Sequence, residues 1–129
     1  MHLEQLAVIV DDYDEAIAFY VDVLGFELVE DSPSVTTDGR PKRWVVVRPP
    51  GAQTALLLAQ ADGERQEATV GEQFAGRVGL FLRVDDFEAT YERMRARLQI
   101  GPPGWSAPSA DRPSRRAPET KKPREMQGF

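Results

Sequence analysis

The feature that most constrains the fold is a strand–helix–strand pattern over residues 6–30. Residues 6–10 are a short aliphatic run without Gly or Pro that is followed by an acidic turn, which is typical of a strand. A helix is predicted from Asp12, because a glutamate three residues later completes a capping-box spacing. Gly25 ends this helix, since glycine readily takes the positive φ of that position, and residues 26–30 alternate as a second strand.

This pattern occurs twice in the chain. Adding 74 to the residue numbers carries Val-Asp-Asp-Tyr at residues 10–13 onto Val-Asp-Asp-Phe at residues 84–87. The apolar stripe of the first helix recurs in the same register. It consists of Tyr13, Ile17, Tyr20 and Leu24, and its counterparts are Phe87, Tyr91, Met94 and Leu98. Two unrelated amphipathic helices would be the alternative, but the shared turn favours a duplicated module.

Three further segments complete the first copy. Residues 43–48, with Trp44 and three consecutive valines, and residues 53–59, with a leucine run, are predicted strands. Proline, glycine and aspartate over residues 31–42 predict a loop. We therefore predict an α+β fold built on a βαβββ module. Its predicted parts are the first module over residues 1–60, a connector over 61–76 with a short helical turn near 64–69, and a partial second module over 77–98.

The second copy is predicted to stop after one strand, residues 77–84, and one helix, residues 86–98. Under the same offset its next strand would fall on Ile-Gly-Pro-Pro-Gly at residues 100–104, which cannot hold a ladder. Six prolines among residues 101–129 predict a Pro/Arg-rich, disordered tail from residue 99, with a basic docking arm as the alternative. The abrupt change in composition also suggests a shift of the reading frame near residue 98.

Composition argues against several classes of partner. A formal charge of −5 argues against nucleic acid or an anionic membrane surface as the main partner. Cysteine is absent, which excludes disulfides, a thiol nucleophile and thiolate metal sites. No stretch is apolar enough for a signal peptide or a membrane span, so we expect a cytoplasmic protein.

The sequence Val-Asp-Asp-Tyr-Asp-Glu-Ala-Ile-Ala-Phe-Tyr at residues 10–20, followed by Leu-Gly-Phe-Glu-Leu at residues 24–28, resembles the vicinal oxygen chelate superfamily. That superfamily includes glyoxalase I, fosfomycin and bleomycin resistance proteins, and extradiol dioxygenases. The resemblance covers about residues 3–98. It implies two modules that curl their sheets into a cleft, where inward-facing His, Gln or Glu residues commonly hold a divalent metal.

The resemblance allows the metal ligands to be sought residue by residue. The position five residues before Val10 is Gln5, whose amide oxygen can ligate a hard cation. Its counterpart in the second copy is Gly79, or Arg77 if the strand is shifted by two, and neither can serve. The Glu expected in the fourth strand falls in the leucine run 56–58, and the last Glu would lie on a strand that we do not expect to form. We therefore predict no metal ligand set and leave the cofactor open.

Two residues are predicted to contact a ligand. Gln5 is interpreted as a polar group lining a pocket rather than as a metal ligand, and Trp44 as a ring that stacks on a flat ligand, with a core role as the alternative. His2 is interpreted as a solvated terminal residue. The aspartate pairs at residues 11–12 and 85–86 are explained as helix caps. No catalytic residue is predicted.

Three functional hypotheses follow. The first is a metal-free protein that binds and sequesters a small, aromatic compound. The second is a metal-dependent enzyme of the glyoxalase (lyase) or extradiol dioxygenase type, with a metal bound with help from a partner chain or from sequence lost at the tail. The third is a nonfunctional, truncated or frameshifted relative. A truncated module leaves unpaired strand edges and an uncovered apolar face, from which we expect a homodimer.

Overall fold

The structure is a computed structural model that describes residues 1–100, with side chains described through residue 98. Its strands are β1 (Gln5–Val10), β2 (Glu27–Val35), β3 (Pro41–Arg48) and β4 (Ala55–Gln60). Its helices are α1 (Tyr13–Ile17), which continues as a π-helical segment (Ala18–Val23), α2 (Glu64–Thr69) and α3 (Phe87–Ile100). The strands form one sheet in the order β1-β4-β3-β2, in which β1 and β4 are parallel and the other pairs antiparallel. The predicted α+β fold with a βαβββ module is confirmed.

The first helix begins and ends where the sequence predicts. The Asp12 carboxylate accepts a hydrogen bond from the Glu15 backbone N–H at 2.9 Å, and Gly25 has a φ of +80°. Between them the helix widens into π geometry, in which the Leu24 N–H donates to the Phe19 carbonyl five residues back at 3.0 Å. The capping and stripe patterns of the sequence do not predict this widening.

The core lies between the first helix and one face of the sheet. Its buried cluster consists of Val8, Val10, Tyr13, Phe26, Val45, Val47, Leu56 and Leu58. Against it pack the partly buried residues of the first helix, which are Ala16, Ile17, Tyr20, Val21 and Leu24. The predicted apolar stripe therefore meets the sheet, and Val8 and Val10 are the β1 residues on that side.

The second strand is longer than predicted. Residues 31–35, assigned to a loop from sequence, pair residue by residue with the start of β3, out to Val35 opposite Pro41. Pro33 is accommodated because β2 is an edge strand, where a missing backbone donor can face solvent. An ion pair between Asp31 and Arg43, at 2.6 Å, links the two strands within this extension.

The second copy differs from its prediction in the strand. Residues 77–84 lie outside the four-stranded sheet, whereas the predicted helix is present as α3. Alternating apolar residues favour a strand, but a strand also needs a hydrogen-bonded neighbour, and this segment forms no ladder with any strand of the sheet. The predicted helical turn in the connector is confirmed as α2.

The end of the chain is only partly described. The predicted tail from residue 99 lies outside the described residues, apart from Gln99 and Ile100, which end α3. The division into domains and the frameshift hypothesis remain predictions. Within residues 1–100, no helix is long and apolar enough to cross a membrane.

Candidate functional site

One face of the sheet points away from the first helix, and we term it the helix-free face. Side chains alternate along a strand, so residues next to the core positions Val8, Val45 and Leu58 point away from the first helix. The strand registers align these side chains in three rows across β1, β4 and β3. The middle row is Ala7, Leu57 and Val46. Extending the β3–β4 register by one residue at each end gives Gln5, Ala55 and Arg48 as the first row and Ile9, Ala59 and Trp44 as the third.

The centre of this face is apolar. Val46 is 3% exposed and Ala55 6%, while Leu57, Ala59 and Ile9 are half-buried. The outer strand β2 is polar by contrast. It places Glu27, Glu30 and Ser32 opposite Arg48, Val46 and Trp44. The helix-free face is therefore an apolar floor over three strands, bounded by an acidic margin on the fourth.

A cavity of about 420 Å³ adjoins this floor at Trp44. Trp44, Leu57 and Ala59 line it from the sheet, and Lys42 and Gln66 contribute polar side chains. The volume is within the range of small-molecule sites. Since Trp44 is half-buried, part of its ring is available for stacking on a planar ligand.

Ion pairs fix the rim of this cavity. The Arg40 guanidinium donates to both carboxylate oxygens of Asp62, at 3.1 and 2.6 Å, and to Asp38 at 2.9 Å. The hydrogen bond from Arg40 lowers the pKa of Asp62, and the two carboxylates raise the pKa of Arg40. Arg40 therefore ties the β2–β3 turn to the segment before α2.

A second ion-pair cluster lies on the helix side of β3. The Arg43 guanidinium donates to Asp31 at 3.0 and 2.6 Å and to Asp14 at 2.9 Å, and it lies 5.2 Å from the centre of the Tyr13 ring. Its hydrogen bonds lower the pKa of Asp31. These donors are committed to the fold.

The two predicted site residues share the helix-free face but lie at its opposite ends. Gln5 is exposed in the first row, and Trp44 lines the cavity beside the third. Four residues of strand separate the two rows, which is about 13 Å. The sheet therefore places Gln5 and Trp44 on one surface without bringing them into contact, and their binding roles remain predictions.

Sequence reasoning missed Lys42 and Arg48. Both lie an even number of residues from Trp44 in the same strand, so alternation alone would have placed them on its face. Arg48 ends the first row, and one of its terminal nitrogens lies 3.7 Å from a Glu27 oxygen.

A larger cavity, of about 600 Å³, lies on the helix side of the molecule. It is lined by residues of both the π-helical segment and α3, and Tyr20, Phe26 and Met94 are among them. Burial raises the pKa of the Tyr20 hydroxyl. Since Phe87 and Tyr91 of the α3 stripe line the same space, we interpret it as the interior of the second module, where no strand of the described chain covers the stripe.

The described residues do not fit a metal ion. Within residues 1–98 there is no group of three or more His, Asp or Glu side chains placed to hold one. Gln5 in β1 and Glu27 in β2 lie at the same end of the sheet. Because β4 and β3 lie between these two strands, the backbones of the two residues are about 14 Å apart. The Arg48 cation stands between them.

The chain was compared with known proteins. The model of the Glyoxalase/Bleomycin resistance protein/Dioxygenase superfamily matches residues 2–106. An uncharacterized protein from Shewanella frigidimarina (strain NCIMB 400) is 50% identical over 91 residues, which is 70% of this chain and only 65% of the relative's length. The uncharacterized protein YetH from Bacillus subtilis (strain 168) is 28% identical over 93 residues, 70% of this chain and 67% of YetH.

Solved structures agree with the family match. TnmS3, an antibiotic binding protein from Streptomyces sp. CB03234, is 34% identical with a TM-score of 0.59, over 75% of this chain and 70% of TnmS3. UcmS2 is 29% identical with a TM-score of 0.58, over 74% of each chain. The family match, covering most of the residues, and these structural similarities agree with the βαβββ module. The chain belongs to the glyoxalase/bleomycin resistance protein/dioxygenase superfamily.

Proposed function

We propose that this chain binds a flat, largely apolar small molecule on the helix-free face beside Trp44 and sequesters it without converting it. The observation that carries this proposal is the apolar floor of β1, β4 and β3, which ends at a half-buried tryptophan and an adjoining cavity. Similarity to TnmS3, described as an antibiotic binding protein, supports binding as the function.

The floor suits a planar ligand because its side chains are small or aliphatic. Ala7 and Ala59, which are exposed or half-buried, leave the surface of β1 and β4 low, so a ring system can lie close to the sheet. Apolar area removed from water contributes about 25 cal/mol per Å², and ring stacking on Trp44 adds about 0.5–1.5 kcal/mol. Only part of this sum appears as affinity, because binding also costs translational and rotational freedom.

The metal-dependent alternative lacks a ligand set in the described residues. An enzyme of the glyoxalase or extradiol dioxygenase type needs a metal with open positions that binds neighbouring substrate oxygens. Of the positions at which the family places metal ligands, Gln5 alone has an oxygen donor here. The cation of Arg48 lies in the same row, two strands away from Gln5. We therefore assign Gln5 to ligand contact.

We further propose that the protein is a homodimer, with a cytoplasmic location as the accompanying prediction. No strand of the described chain pairs with the outer edge of β1, where only Ile9 is bonded by a side chain, that of Gln73, and α3 exposes Phe87 and Tyr91. Exposed strand edges and apolar side chains favour association. Light scattering coupled to size exclusion measures the mass directly, and a monomer at every concentration tested would contradict this part of the proposal.

Binding can be tested through the indole N–H resonance of Trp44. The chain contains two tryptophans, so Trp105→Phe leaves Trp44 as the only indole. Titration with 2-naphthalenemethanol, a neutral planar probe, is expected to shift this resonance saturably, with one probe per chain by calorimetry. Trp44→Ala is expected to weaken binding about tenfold, equivalent to 1.4 kcal/mol.

Two results would count against the proposal. No saturable shift with this probe or with its carboxylate analogue 2-naphthoate would rule out the site. Binding that is unaffected by Trp44→Ala would place the ligand elsewhere. Recovery of the probe chemically unchanged after incubation is the expected result for sequestration, and a modified product would indicate an enzyme.

A further inference from the structure

We propose that Arg48 recognises an anionic oxygen on the ligand, so that the compounds bound are planar aromatic molecules with a carboxylate or phenolate at one end. This inference rests on the proposed function, because it adds a specificity-determining residue to the same face. The sequence did not single out Arg48, and its place on this face comes from the strand register.

Arg48 lies at the far end of the apolar floor from Trp44. Both residues belong to β3 and are four positions apart, which is about 13 Å along the strand. Val46 lies between them on the same face and is almost fully buried. A fused-ring molecule that stacks on Trp44 and is directed along β3 extends over the side chains that cover Val46, toward the guanidinium.

The donors of Arg48 are largely uncommitted. Its Nε is buried and has no hydrogen-bond partner, and it is the only such side-chain nitrogen or oxygen within residues 1–98. Its closest ion-pair contact, to Glu27 at 3.7 Å, is longer than a hydrogen bond. The side chain as a whole is 37% exposed, so an anion on the helix-free face can be bound by the terminal nitrogens, which make no other hydrogen bond within the described part of the chain.

The other arginines of this region differ in this respect. Arg40 and Arg43 each bind two aspartates, with donor–acceptor distances between 2.6 and 3.1 Å. Their guanidinium groups are therefore occupied in holding the fold together. Arg48 combines a place on the helix-free face with free donors, which is the arrangement expected of a ligand-recognition residue.

The neighbours of Arg48 include a second polar side chain that can contact the same anion. Ala55 lies between Arg48 and Gln5 in the first row and is 6% exposed, so an anion here would contact the two flanking side chains rather than the sheet. Arg48 and Gln5 are two strand spacings apart, about 10 Å, so both long side chains can reach a carboxylate over Ala55. Glu27 on β2 competes with a bound anion for the Arg48 guanidinium, so replacing Glu27 tests the inference.

The test compares 2-naphthoate with 2-naphthalenemethanol, which share the ring system and differ in charge. Affinities are measured by calorimetry on the full chain. The wild type is expected to prefer naphthoate by at least about tenfold, since hydrogen bonds to charged groups are the stronger kind. Arg48→Met is expected to bring the ratio of the two affinities close to one, and Arg48→Lys to retain part of the preference.

Glu27→Gln provides an independent test of anion recognition by Arg48. This test remains available if Arg48→Met does not fold. It keeps the shape of the side chain and removes the competing charge, so naphthoate affinity is expected to rise about two- to fivefold, as for loss of a surface ion pair. Unchanged naphthoate affinity in this variant would overturn the inference.

The remaining outcomes separate the inference from the proposed function. Equal affinities of the wild type for the two probes would refute anion recognition while leaving the binding site intact. A naphthoate preference that persists in Arg48→Met would assign the recognition to another residue. Failure of both probes to bind would refute both proposals.

Discussion

Adjacent leucines in β4 are expected to differ sharply in their contribution to stability. Leu58 is 0% exposed and belongs to the buried cluster, whereas Leu57 is half-buried on the helix-free face. Replacing Leu58 by alanine removes three carbons, worth about 0.8 kcal/mol each in transfer free energy, and leaves a cavity. We expect Leu58→Ala to lower the free energy of unfolding by about 3 kcal/mol or more, and Leu57→Ala by about 1 kcal/mol.

Urea denaturation followed by circular dichroism measures both losses. For a small domain the free energy changes by about 1–3 kcal/mol per molar urea, so Leu58→Ala should lower the midpoint by about 1–3 M. Leu57→Ala serves as the matched control, since it makes the same substitution one residue away. It should weaken binding of the naphthalene probes while leaving the fold intact. Equal destabilisation by the two variants, or a larger loss for Leu57→Ala, would refute the assignment of the two sheet faces.

Three further predictions concern a hydrogen-bonded contact, a backbone conformation and an ion pair. The Gln73 carboxamide bonds both backbone groups of Ile9 at the outer edge of β1, so Gln73→Ala should speed hydrogen exchange of the Ile9 amide about two- to tenfold, and unchanged exchange would contradict these bonds. Gly25→Ala should cost about 1–2 kcal/mol in urea denaturation, because φ is +80° there; a neutral result would contradict that backbone geometry. Arg43 lowers the pKa of Asp31, which adds stability above the ordinary aspartate pKa and loses it as the pH falls through the lowered value. The stability gap between wild type and Arg43→Gln should therefore be full above about pH 5 and shrink below about pH 4, and a gap independent of pH would contradict the pairing.

The parts of the fold that sequence predicted well are those fixed by local chemistry. The Asp12 cap and the glycine at residue 25 are set by backbone groups within a few residues, and the stripe of the first helix follows from its period. The same reasoning placed α3 within one or two residues of its observed bounds. Local patterns were sufficient wherever the element needs no distant partner.

The parts that sequence did not predict depend on a partner strand. Pro33 argued for a loop, but pairing with β3 extends β2 past it because the other side of β2 is free. Residues 77–84 have the alternation of a strand, yet no ladder in the sheet receives them. The π-helical turns at Ala18–Val23 have no sequence signal that the analysis used.

The binding roles of the site residues remain predictions, and the structure shows where these residues lie. Trp44 was chosen for its ring, and the structure places it beside a cavity, while Gln5 came from the family pattern and lies at the far end of the same face. Arg48 was missed because what distinguishes it is that its guanidinium donors lack hydrogen-bond partners. That difference is seen only when the partners of Arg40 and Arg43 are known. Residue type alone does not distinguish a committed arginine from a free one.

The distribution of apolar residues across the sheet is the strongest reason to look for a ligand on its helix-free face. A sheet with one solvated face normally alternates apolar and polar residues, but β4 carries leucine on both faces, with Leu57 opposite Val46 of β3. The acidic side chains of the helix-free face are confined to β2 at its margin. Solvation alone would not favour an apolar centre and a charged border, whereas a face that removes a planar compound from water and orients its polar end requires both.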